Sequence, residues 1–559
     1  MISFIFVLDR PLQKQGYSPE QEDFHDRLST TFPDAHIESY ADKLQLLDRL
    51  VRNKNYILGT KPVRKRTRQQ HTVCVPNDSE DEVSYPVVIM INSASIEEAG
   101  KFSDLVETHF RYLNPVTRSF DFSGSNSEVF EAVLTSMDRI SVSLADRVSR
   151  MECWTGLKDG FFDNTFNSMS KLIIYPCKLS DLSANFDFLA SEVDFLKLLH
   201  TLEDRKGKLY YRNAYQSWGF NAYSFTLDEL LYIAYRILLE PFLKCANHRR
   251  SQHTKKLLMN RLASFLFYIR DSYHPENPFH NFRHAVDVLQ ATNYFLKRIA
   301  TPDSQSAHKF PLQFTFCERL ALLLAALGHD MGHPAVTNKI LSESHSTIAS
   351  LFQDDSVLEN FHQFEFRNVC SALLHVNGEL AVSEEVWETM ESLIKSSILA
   401  TDMAKHDEYL HHMEKFDPRG ILKEERMENI RFLASLVIKS ADISNVCRPL
   451  QTSVKWALSL VQEFAEVGKF EQVVVNGSSD RTIEKLPFDI SQIDPDSAIE
   501  KVPGLSASEM FFINRFASNF FLRIGKVVPP LLFLHRELTQ NTGFWVADEE
   551  KKAVIEKSV

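Results

Sequence analysis

The stretch that decides the fold is Phe279-His280-Asn281-Phe282-Arg283-His284-Ala285-Val286-Asp287-Val288, followed downstream by Gly328-His329-Asp330-Met331-Gly332-His333-Pro334. Each segment has two histidines four residues apart, a spacing that puts both side chains on one face of a helix. The second segment follows the apolar run 321–327, which predicts a buried helix ending at a histidine and an aspartate. Burying this ionisable pair is costly without a partner, and a divalent metal is the usual partner.

A single histidine in such a pattern is more often a hydrogen-bonded core residue than a metal ligand. Two clusters with the same spacing, each carrying an aspartate, are harder to explain by core packing alone. The sequence therefore predicts a metal centre built by these two segments.

Composition limits the class of protein. The chain has 559 residues with 62 basic and 74 acidic side chains, a net charge of −12 with histidine neutral. This charge argues against a general nucleic-acid binder, whose surface is basic. Apolar residues at 44% are ordinary for a globular protein, and the 42 phenylalanines indicate aromatic-rich packing.

The cysteines and the apolar runs of the sequence indicate the cellular compartment of the protein. The seven cysteines form no CxxC pair, which predicts neither a disulfide framework nor a cysteine zinc module and fits a reducing cytosol. No apolar run reaches membrane-spanning length, and Met1–Asp9 lacks the basic region of a signal peptide. We expect a cytoplasmic protein without membrane contact. The basic cluster Lys61–Arg68, followed by acidic Ser79–Glu82, is typical of a disordered surface loop, with nuclear import as the alternative.

Residues 1–150 alternate strand and helix patterns, which predicts a parallel sheet with helices on its faces. This layout resembles that of a response-regulator receiver. A receiver needs an aspartate at the end of its central strand to accept phosphate, and here that strand ends in Ile91-Asn92-Ser93. We therefore expect a small α/β pseudoreceiver domain with a structural or regulatory role.

Helix patterns dominate residues 210–545, after a connector at 151–209 and before a tail at 546–559. Stripes such as Leu230, Ile233 and Ile237 predict one large all-α domain. Its one strand-like run is Val473–Val475, and residues 476–507 are expected to form a mobile loop.

Three further segments place polar residues inside apolar patterns: Ser356–His362, Ala400–His406 and Lys439–Asn445. Asp442 follows the apolar run Leu433–Ile438, as Asp330 follows its own run. Each segment alone is typical of a helix cap or a surface turn. Their presence together with the histidine clusters favours one composite site.

With these segments in order, residues 210–540 resemble the class I cyclic nucleotide phosphodiesterases, and in particular the fungal high-affinity cAMP phosphodiesterases. The matching motifs are HN-x-x-H-A-x-D-V at 280–288, H-D-x-x-H-P at 329–334, S-V-L-E-N-x-H at 356–362, T-D-M at 401–403, D-x-S-N at 442–445 and F-I at 512–513. The His-Asp pair alone indicates only a broad hydrolase superfamily. The resemblance implies an all-α catalytic domain of the HD type that hydrolyses 3′,5′-cyclic AMP to 5′-AMP and damps cAMP signalling.

The resemblance also implies roles for individual residues. A zinc ion would be bound by His284, His329, Asp330 and Asp442. A second ion, magnesium or manganese, would share Asp330, and its water shell would be held by His333, Glu359, His362, Thr401 and Asp402. His280 would be the general acid, with an orienting role as the alternative. The base would be contacted by Asn445, Leu460 and Phe512.

The sequence departs from the family pattern at three places. Phe279 stands where a tyrosine is common, and Met331-Gly332 stands where an acid often precedes the second histidine. Glu509 stands at the position of the purine-binding glutamine. An ionised carboxylate only accepts hydrogen bonds and would suit guanine, but a buried one is protonated and can donate to adenine N1. We therefore expect a preference for cAMP.

Two other functions remain open at this point. A different His-Asp hydrolase, such as a nucleotide triphosphohydrolase, would lack His280 four residues before the first ligand and the base contacts Asn445 and Phe512. A catalytically silent nucleotide sensor, signalling through the N-terminal domain, would be favoured by loss of a metal ligand, and all are present.

Overall fold

The structure is a computed structural model. It describes residues 4–8, 18–33, 35–52, 87–92, 96–110, 115–121, 126–143, 146–157, 169, 179–246, 252–301, 310–376, 379–418 and 425–558. The basic and acidic clusters at 61–68 and 79–82, predicted to form a disordered loop, lie outside these residues.

The N-terminal part is built on a four-stranded parallel sheet with the order β2-β1-β3-β4. Its strands are β1 (Phe4–Leu8), β2 (His36–Tyr40), β3 (Val87–Asn92) and β4 (Pro115–Phe120), and its helices are α1 (Pro19–Thr31), α2 (Lys43–Arg52), α3 (Ile96–His109) and α4 (Ser127–Ser143). The predicted alternation of strands and helices is present in the described residues. Residues 88–91 are all buried, as expected for a parallel strand covered on both faces.

The rest of the described chain is helical. In order, the helices are α5 (Arg147–Trp154), α6 (Leu179–Glu192), α7 (Phe195–Lys206), α8 (Lys208–Gln216), α9 (Leu227–Cys245), α10 (Gln252–Asp271), α11 (Phe282–Ala300), α12 (Phe316–Gly328), α13 (Asn338–Glu343), α14 (Thr347–Leu351), α15 (Val357–Leu374), α16 (Glu384–Leu399), α17 (His406–Lys415), α18 (Arg426–Asp442), α19 (Leu450–Val474), α20 (Pro495–Lys501), α21 (Leu505–Phe512), α22 (Ser518–Val527) and α23 (Leu532–Ser558). The two-residue strands His375–Val376 and Glu379–Leu380 form the one hairpin among the described residues of this part. The predicted helical character of the C-terminal region is confirmed.

The helix that carries the central histidine-aspartate pair, α12, has clear sequence signals at both ends. Thr315 and Glu318 form a capping box at its start, so the first N–H groups of the helix are satisfied. At its end, a side chain on Gly328 would meet the Phe366 ring of α15 at 2.1 Å. The absence of a side chain at position 328 therefore lets α12 and α15 approach closely, next to His329.

Two local expectations about the C-terminal region are wrong. Val473 and Val474 end the long helix α19, because the helical spacing of its buried face continues through them. Residues 476–507 are tied to the fold: the backbone N–H of Leu486 donates to Gln462 Oε1 at 3.0 Å, and 495–501 form α20. The predicted tail at 546–559 continues α23 as far as Ser558.

The expectation of no disulfide is also corrected. Cys245, at the end of α9, is paired with Cys317, at the start of α12, with 5.2 Å between the Cα atoms. The two cysteines are 72 residues apart, so the pair depends on helix packing that spacing alone does not reveal. No helix of the described residues is long and apolar enough to cross a membrane.

Both faces of the sheet are continuous with the cores of the helical region. Ile89 and Ile91 of β3 belong to the core that also holds α9, α11 and α12. Val88 and Met90, on the opposite face, share a second core with α5 and with Phe361 of α15. The sheet and the helices around the histidine segments are therefore packed as one body on both sides.

Candidate metal centre and active site

The first histidine segment is a loop that enters a helix. Asn281 caps α11, and its side-chain oxygen accepts from the N–H groups of Arg283 at 2.8 Å and His284 at 3.3 Å. His284 is therefore helical while His280 lies before the helix. The prediction that both histidines share one helix face is wrong, because the Asn281 cap starts the helix between them.

The second segment leaves its helix in the same way. His329 directly follows α12, and Gly332, with a φ of +76°, turns the chain before His333. His333 is therefore outside the helix, and the expectation of a shared helix face is wrong here too. The loops nevertheless bring the two segments together, since the rings of His280 and His333 stack with centroids 4.1 Å apart.

The four predicted ligands of the first metal converge where α11, α12 and α18 meet. His284 Nε2 lies 3.2 Å from Asp442 Oδ1 and 3.6 Å from Asp330 Oδ2. His329 Nε2 lies 3.0 Å from Asp330 Oδ2 and 3.3 Å from Asp442 Oδ1. One ligand atom from each of the four residues lies within 4.8 Å of the others. The cluster joins residues as far as 158 positions apart.

The hydrogen bonds of His329 indicate that this cluster needs a cation. Its Nδ1 lies 3.0 Å from the carbonyl oxygen of Ala326, so Nδ1 carries a proton and Nε2 points toward Asp330 and Asp442. Burial lowers the pKa of His329, but the two carboxylates outweigh burial and raise that pKa well above its ordinary value. Either a proton or a metal ion can satisfy such a site. Atoms bound to one ion at about 2.0–2.2 Å lie about 3–3.6 Å apart, so the observed separations fit a divalent metal.

His280 is held by Glu463, a residue that the sequence motifs did not single out. One oxygen of Glu463 is hydrogen-bonded to His280 Nδ1, and the other accepts from the backbone N–H groups of Phe279 at 2.8 Å and His280 at 3.0 Å. Burial lowers the pKa of His280, but the Glu463 carboxylate, together with the charges of Asp330 and Asp442, outweighs burial and raises it to about 9. The arrangement favours the cationic form of His280, with its Nδ1 bound by Glu463.

A signal for Glu463 does exist in the sequence. It lies on α19 with Trp456, Ser459 and Glu466 at helical spacing, and all four side chains are buried. An acid on the apolar face of a long helix is costly to bury without a partner. The core face of α19 therefore marks Glu463, together with Glu466, as an acid that needs a partner, but does not show which residue that partner is.

His333 and His362 are predicted to hold water around the second ion. His333 Nδ1 accepts from a backbone N–H at 3.0 Å, which leaves its Nε2 as a donor. His362 Nδ1 donates to a backbone carbonyl at 2.8 Å, and its Nε2 lies 3.9 Å from Asp330 Oδ1. That Nε2 is buried and has no hydrogen-bond partner within the described part of the chain. Burial lowers the pKa of His362 to about 4 and that of His333 well below its ordinary value, so both rings are neutral.

Glu359, Thr401 and Asp402 are the other residues predicted to hold water around the second ion, and the charges of Asp402 and Asp330 both act on Glu359. Asp402 accepts from the hydroxyl of Ser356 at 2.7 Å, and the Thr401 hydroxyl donates to a backbone carbonyl at 2.8 Å. Burial and the charge of Asp402 raise the pKa of Glu359 to about 7. The charge of Asp402 thus adds to the cost of ionising Glu359, which a nearby cation would offset.

Lys439 is a second residue that the motifs did not single out. It is fully buried on α18, and its Nζ donates to the carbonyl oxygens of Ala400 at 3.1 Å and Asp402 at 3.2 Å. Burial lowers its pKa to about 8, against the opposing effect of Asp442. Lys439 thus fixes the backbone that carries Thr401 and Asp402.

The predicted base contacts are placed less directly. Asn445 is buried in the 3₁₀ turn Ile443–Cys447, while Leu460 and Phe512 are half-buried against the main core. Glu509 is buried, one of its oxygens has no hydrogen-bond partner among the described residues, and burial raises its pKa to about 8. Its charge acts on Cys447, which places it near the Asn445 turn. No hydrogen bond joins these four side chains in the described residues.

The sequence of this region matches a known family. Residues 279–538 match the 3′5′-cyclic nucleotide phosphodiesterase family, and this segment contains all the site residues described above. We call residues 279–538 the phosphodiesterase segment. The match is to cyclic nucleotide phosphodiesterases, which disfavours the nucleotide triphosphohydrolase alternative.

Similar proteins include phosphodiesterases named for different cyclic nucleotides. The chain is 32% identical over 354 residues to 3′,5′-cyclic-nucleotide phosphodiesterase 2 of Saccharomyces cerevisiae, covering 60% of each chain. It is 29% identical over 314 residues to the mouse high affinity cAMP-specific and IBMX-insensitive 3′,5′-cyclic phosphodiesterase 8A, covering 52% of this chain and 34% of that protein. It is also 29% identical over 293 residues to cGMP-specific 3′,5′-cGMP phosphodiesterase 3 of Dictyostelium discoideum, covering 52% of this chain and 56% of that one. The chain thus spans 60% or less of these relatives, and identity alone does not choose the base.

A solved structure is similar over nearly the whole chain. The crystal structure of yeast caPDE2 in complex with IBMX superposes with a TM-score of 0.72 at 25% identity, covering 98% of this chain and 100% of that one. The likeness therefore includes the N-terminal sheet region as well as the phosphodiesterase segment.

Proposed function

We propose that this protein hydrolyses 3′,5′-cyclic AMP to 5′-AMP at a two-metal site, and so lowers intracellular cAMP and damps cAMP signalling. The observation that carries the proposal is the convergence of His284, His329, Asp330 and Asp442 within 4.8 Å. The family match supports the phosphodiester chemistry, and the four converging residues support the metal requirement.

His284, His329, Asp330 and Asp442 would hold a zinc ion, because two imidazoles and two carboxylates form a donor set that zinc accepts. Asp330 would share a second ion, magnesium or manganese, whose other ligands are water. When bound, two such ions neutralise the anionic phosphate oxygens and lower the pKa of the attacking water.

His280 would donate the proton that the leaving 3′ oxygen needs. A leaving alkoxide is strongly basic, and a cationic histidine close to it can protonate it as the bond breaks. Glu463 supports this role because its carboxylate raises the pKa of His280 to about 9 and fixes the ring through Nδ1. Glu463 thus acts through His280, as a positioning residue.

The water around the second ion would be held by neutral donors and by acceptors. His333 offers an Nε2–H donor, and His362 offers a buried Nε2 acceptor that has no hydrogen-bond partner in the described chain. Thr401, Glu359 and Asp402 would complete the shell. The charges of Asp402 and Asp330 raise the pKa of Glu359, which supports a cation bound near these acids.

The base pocket would favour adenine. Adenine presents an N6 donor beside an N7 acceptor, and the amide of Asn445 matches that pair in two hydrogen bonds. Phe512 and Leu460 would enclose the ring on its two faces. Burial raises the pKa of Glu509 to about 8, so at neutral pH it is a neutral acid that can donate to N1 and accept from N6.

Residues 1–150 would form a receiver-like domain without a phosphoacceptor, joined through a connector at 151–209 to a catalytic domain at 210–545. The strand order 2-1-3-4 supports this, since it is that of the first strands of flavodoxin-like folds. Asn92 at the end of β3 cannot form an acyl phosphate. Regulatory contacts would then act through packing with the helices.

Chelation followed by metal replacement tests the proposal. The full-length protein is assayed with cAMP before and after thorough chelation, with metal content measured in parallel. Activity should disappear with the metals and return with zinc plus magnesium or manganese. Full turnover of cAMP by a metal-free preparation would exclude the two-metal mechanism, and metal binding without turnover would favour the silent sensor.

A further inference from the structure

The loop that carries His280 is braced by a residue far outside the phosphodiesterase segment. Arg147 begins α5, and its Nη2 donates to Asn277 Oδ1 at 2.9 Å across 130 residues of chain. Its Nε donates to Glu466 Oε2 at 2.8 Å. All three side chains are buried, so these hydrogen bonds form where water does not compete.

Asn277 connects this arginine to both histidine segments. Its Nδ2 donates to the carbonyl oxygen of His280 at 2.9 Å and to that of His333 at 2.8 Å. These are the two histidines whose rings stack at 4.1 Å. One amide group therefore fixes the backbones of both loops relative to each other.

Arg147 determines which way that amide points. A guanidinium can only donate, so it requires the oxygen of Asn277 on its own side and turns the NH₂ group toward the two carbonyls. Glu466, the second partner of Arg147, lies one helical turn beyond Glu463, which holds the His280 ring. The ring and the backbone of His280 are thus fixed from the same stretch of α19.

The helix that carries Arg147, α5, packs tightly against its neighbours. Trp154 at its end stacks on His274 with 3.7 Å between ring centroids, and Val148 and Met151 belong to the core shared with the N-terminal sheet. Arg481 contacts the same helix through Glu152, 2.6 Å away, and through Ser149 and Asp146, and its hydrogen bonds within the described chain do not reach the histidine loops. Arg481 therefore provides a matched control for a purely structural role.

We propose that Arg147 is a positioning residue for the reaction. It orients Asn277, which holds the carbonyl groups of His280 and His333 and so aims the proton donor at the leaving oxygen. This inference rests on the proposed general-acid role of His280. It extends the catalytic unit to α5, outside residues 279–538.

The test compares two substrates of the full-length enzyme. Cyclic AMP releases an alkoxide that needs a proton, whereas bis(p-nitrophenyl) phosphate releases a phenolate that does not. Arg147→Met and Asn277→Asp should lower kcat for cAMP by about 10- to 100-fold, the effect expected of a misplaced catalytic group, and lower kcat for the p-nitrophenyl diester by less than about threefold. The double variant should lose little more than either single one, because both act on one amide.

Arg481→Met should change both rates by less than about twofold, even where the melting temperature falls. If Arg147→Met does not fold, Asn277→Asp decides alone, since it keeps an acceptor for Arg147 and replaces the two N–H donors by a carboxylate oxygen that repels the two carbonyl oxygens. Equal losses on both substrates in the Arg147 and Asn277 variants, while His280→Ala still distinguishes the substrates, would overturn the positioning role and leave the proposed function intact. If His280→Ala fails to distinguish them, the general-acid role fails and this inference fails with it.

Discussion

The sheet region and the helical region bury different kinds of side chain. The buried residues of β1 and β3 are apolar, such as Ile5, Val7 and 88–91. The helical region instead buries or half-buries the histidines, acids and lysine of the site, on its helices and on the loops at their ends. Removing a charged group from water costs several kcal/mol even after the protein relaxes, so such groups stay buried only where partners offset that cost. The contrast shows that the candidate site lies in the helical region, while the sheet contributes packing.

The strongest test of that contrast removes a ligand from the helical side. Asp442→Ala should abolish turnover, by more than about 10³-fold, and release the first metal, because a ligand set of four loses its shape when one is absent. Turnover and bound zinc are measured together. Asp480→Ala, at an exposed aspartate paired with Lys469, is the control and should change neither. Retained zinc with full activity would contradict the assigned ligand set.

The next largest effect should come from the proton donor. His280→Ala should lower kcat on cAMP by about 10²–10⁴-fold, the usual range for general acid catalysis, with metal content unchanged. An activated p-nitrophenyl diester should lose much less. A similar loss on both substrates would assign His280 to orientation of the site.

Replacing the partner of His280 should have a smaller effect with a distinct signature. Glu463→Gln removes the charge that raises the pKa of His280 to about 9, so that pKa falls. Since His280 is proposed to act as an acid, the alkaline limb of the kcat profile should move to lower pH, and kcat should fall about 10- to 100-fold. A pH profile that does not move would show that Glu463 has no influence on the proton donor.

The choice of base should change with pH by about tenfold. Burial raises the pKa of Glu509 to about 8, so the neutral donor form prevails below that value and the carboxylate above it. The ratio of kcat/KM for cAMP over cGMP should therefore fall from pH 7 to pH 9. In Glu509→Gln the ratio should be flat. A wild-type ratio independent of pH would remove Glu509 from the base pocket, and equal rates at neutral pH would contradict cAMP selectivity.

The smallest effect is expected on the sheet side. Asn92→Asp restores a receiver-like acid at the end of β3, and cAMP turnover should stay within about twofold of wild type, with or without a small-molecule phosphodonor. The assay is run with and without acetyl phosphate. A change in the cAMP turnover of the variant on adding the phosphodonor would show that the sheet region transmits signals to the site. The sheet would then contribute more than packing.

The sequence predicts the helices and the site residues better than it predicts the conformations of the loops that carry some of those residues. Apolar periodicity located the helical region and the buried strand β3, and the motif order located His284, His329, Asp330 and Asp442. Helical spacing misplaced His280 and His333, because the Asn281 cap and the turn at Gly332 depend on loop geometry rather than on period.

Partners that come from distant segments could not be predicted. Arg147 reaches Asn277 across 130 residues, and Glu463 reaches His280 across 183. Neither pair has a spacing signature, since tertiary packing alone sets the distance. Glu463 left only an indirect trace, an acid on the apolar face of α19.

The second core has a consequence for how genes of this kind can recombine. Phe361 and Phe470 of the phosphodiesterase segment share that core with Phe24, Phe120 and Trp154 from the sheet region and α5. A fusion protein that contained only residues 279–538 would expose this apolar surface to water. The free-energy cost is about 25 cal/mol per Å² of apolar surface exposed. Shuffling of the family segment between genes can therefore succeed only where the new neighbour supplies an apolar cover of matching shape.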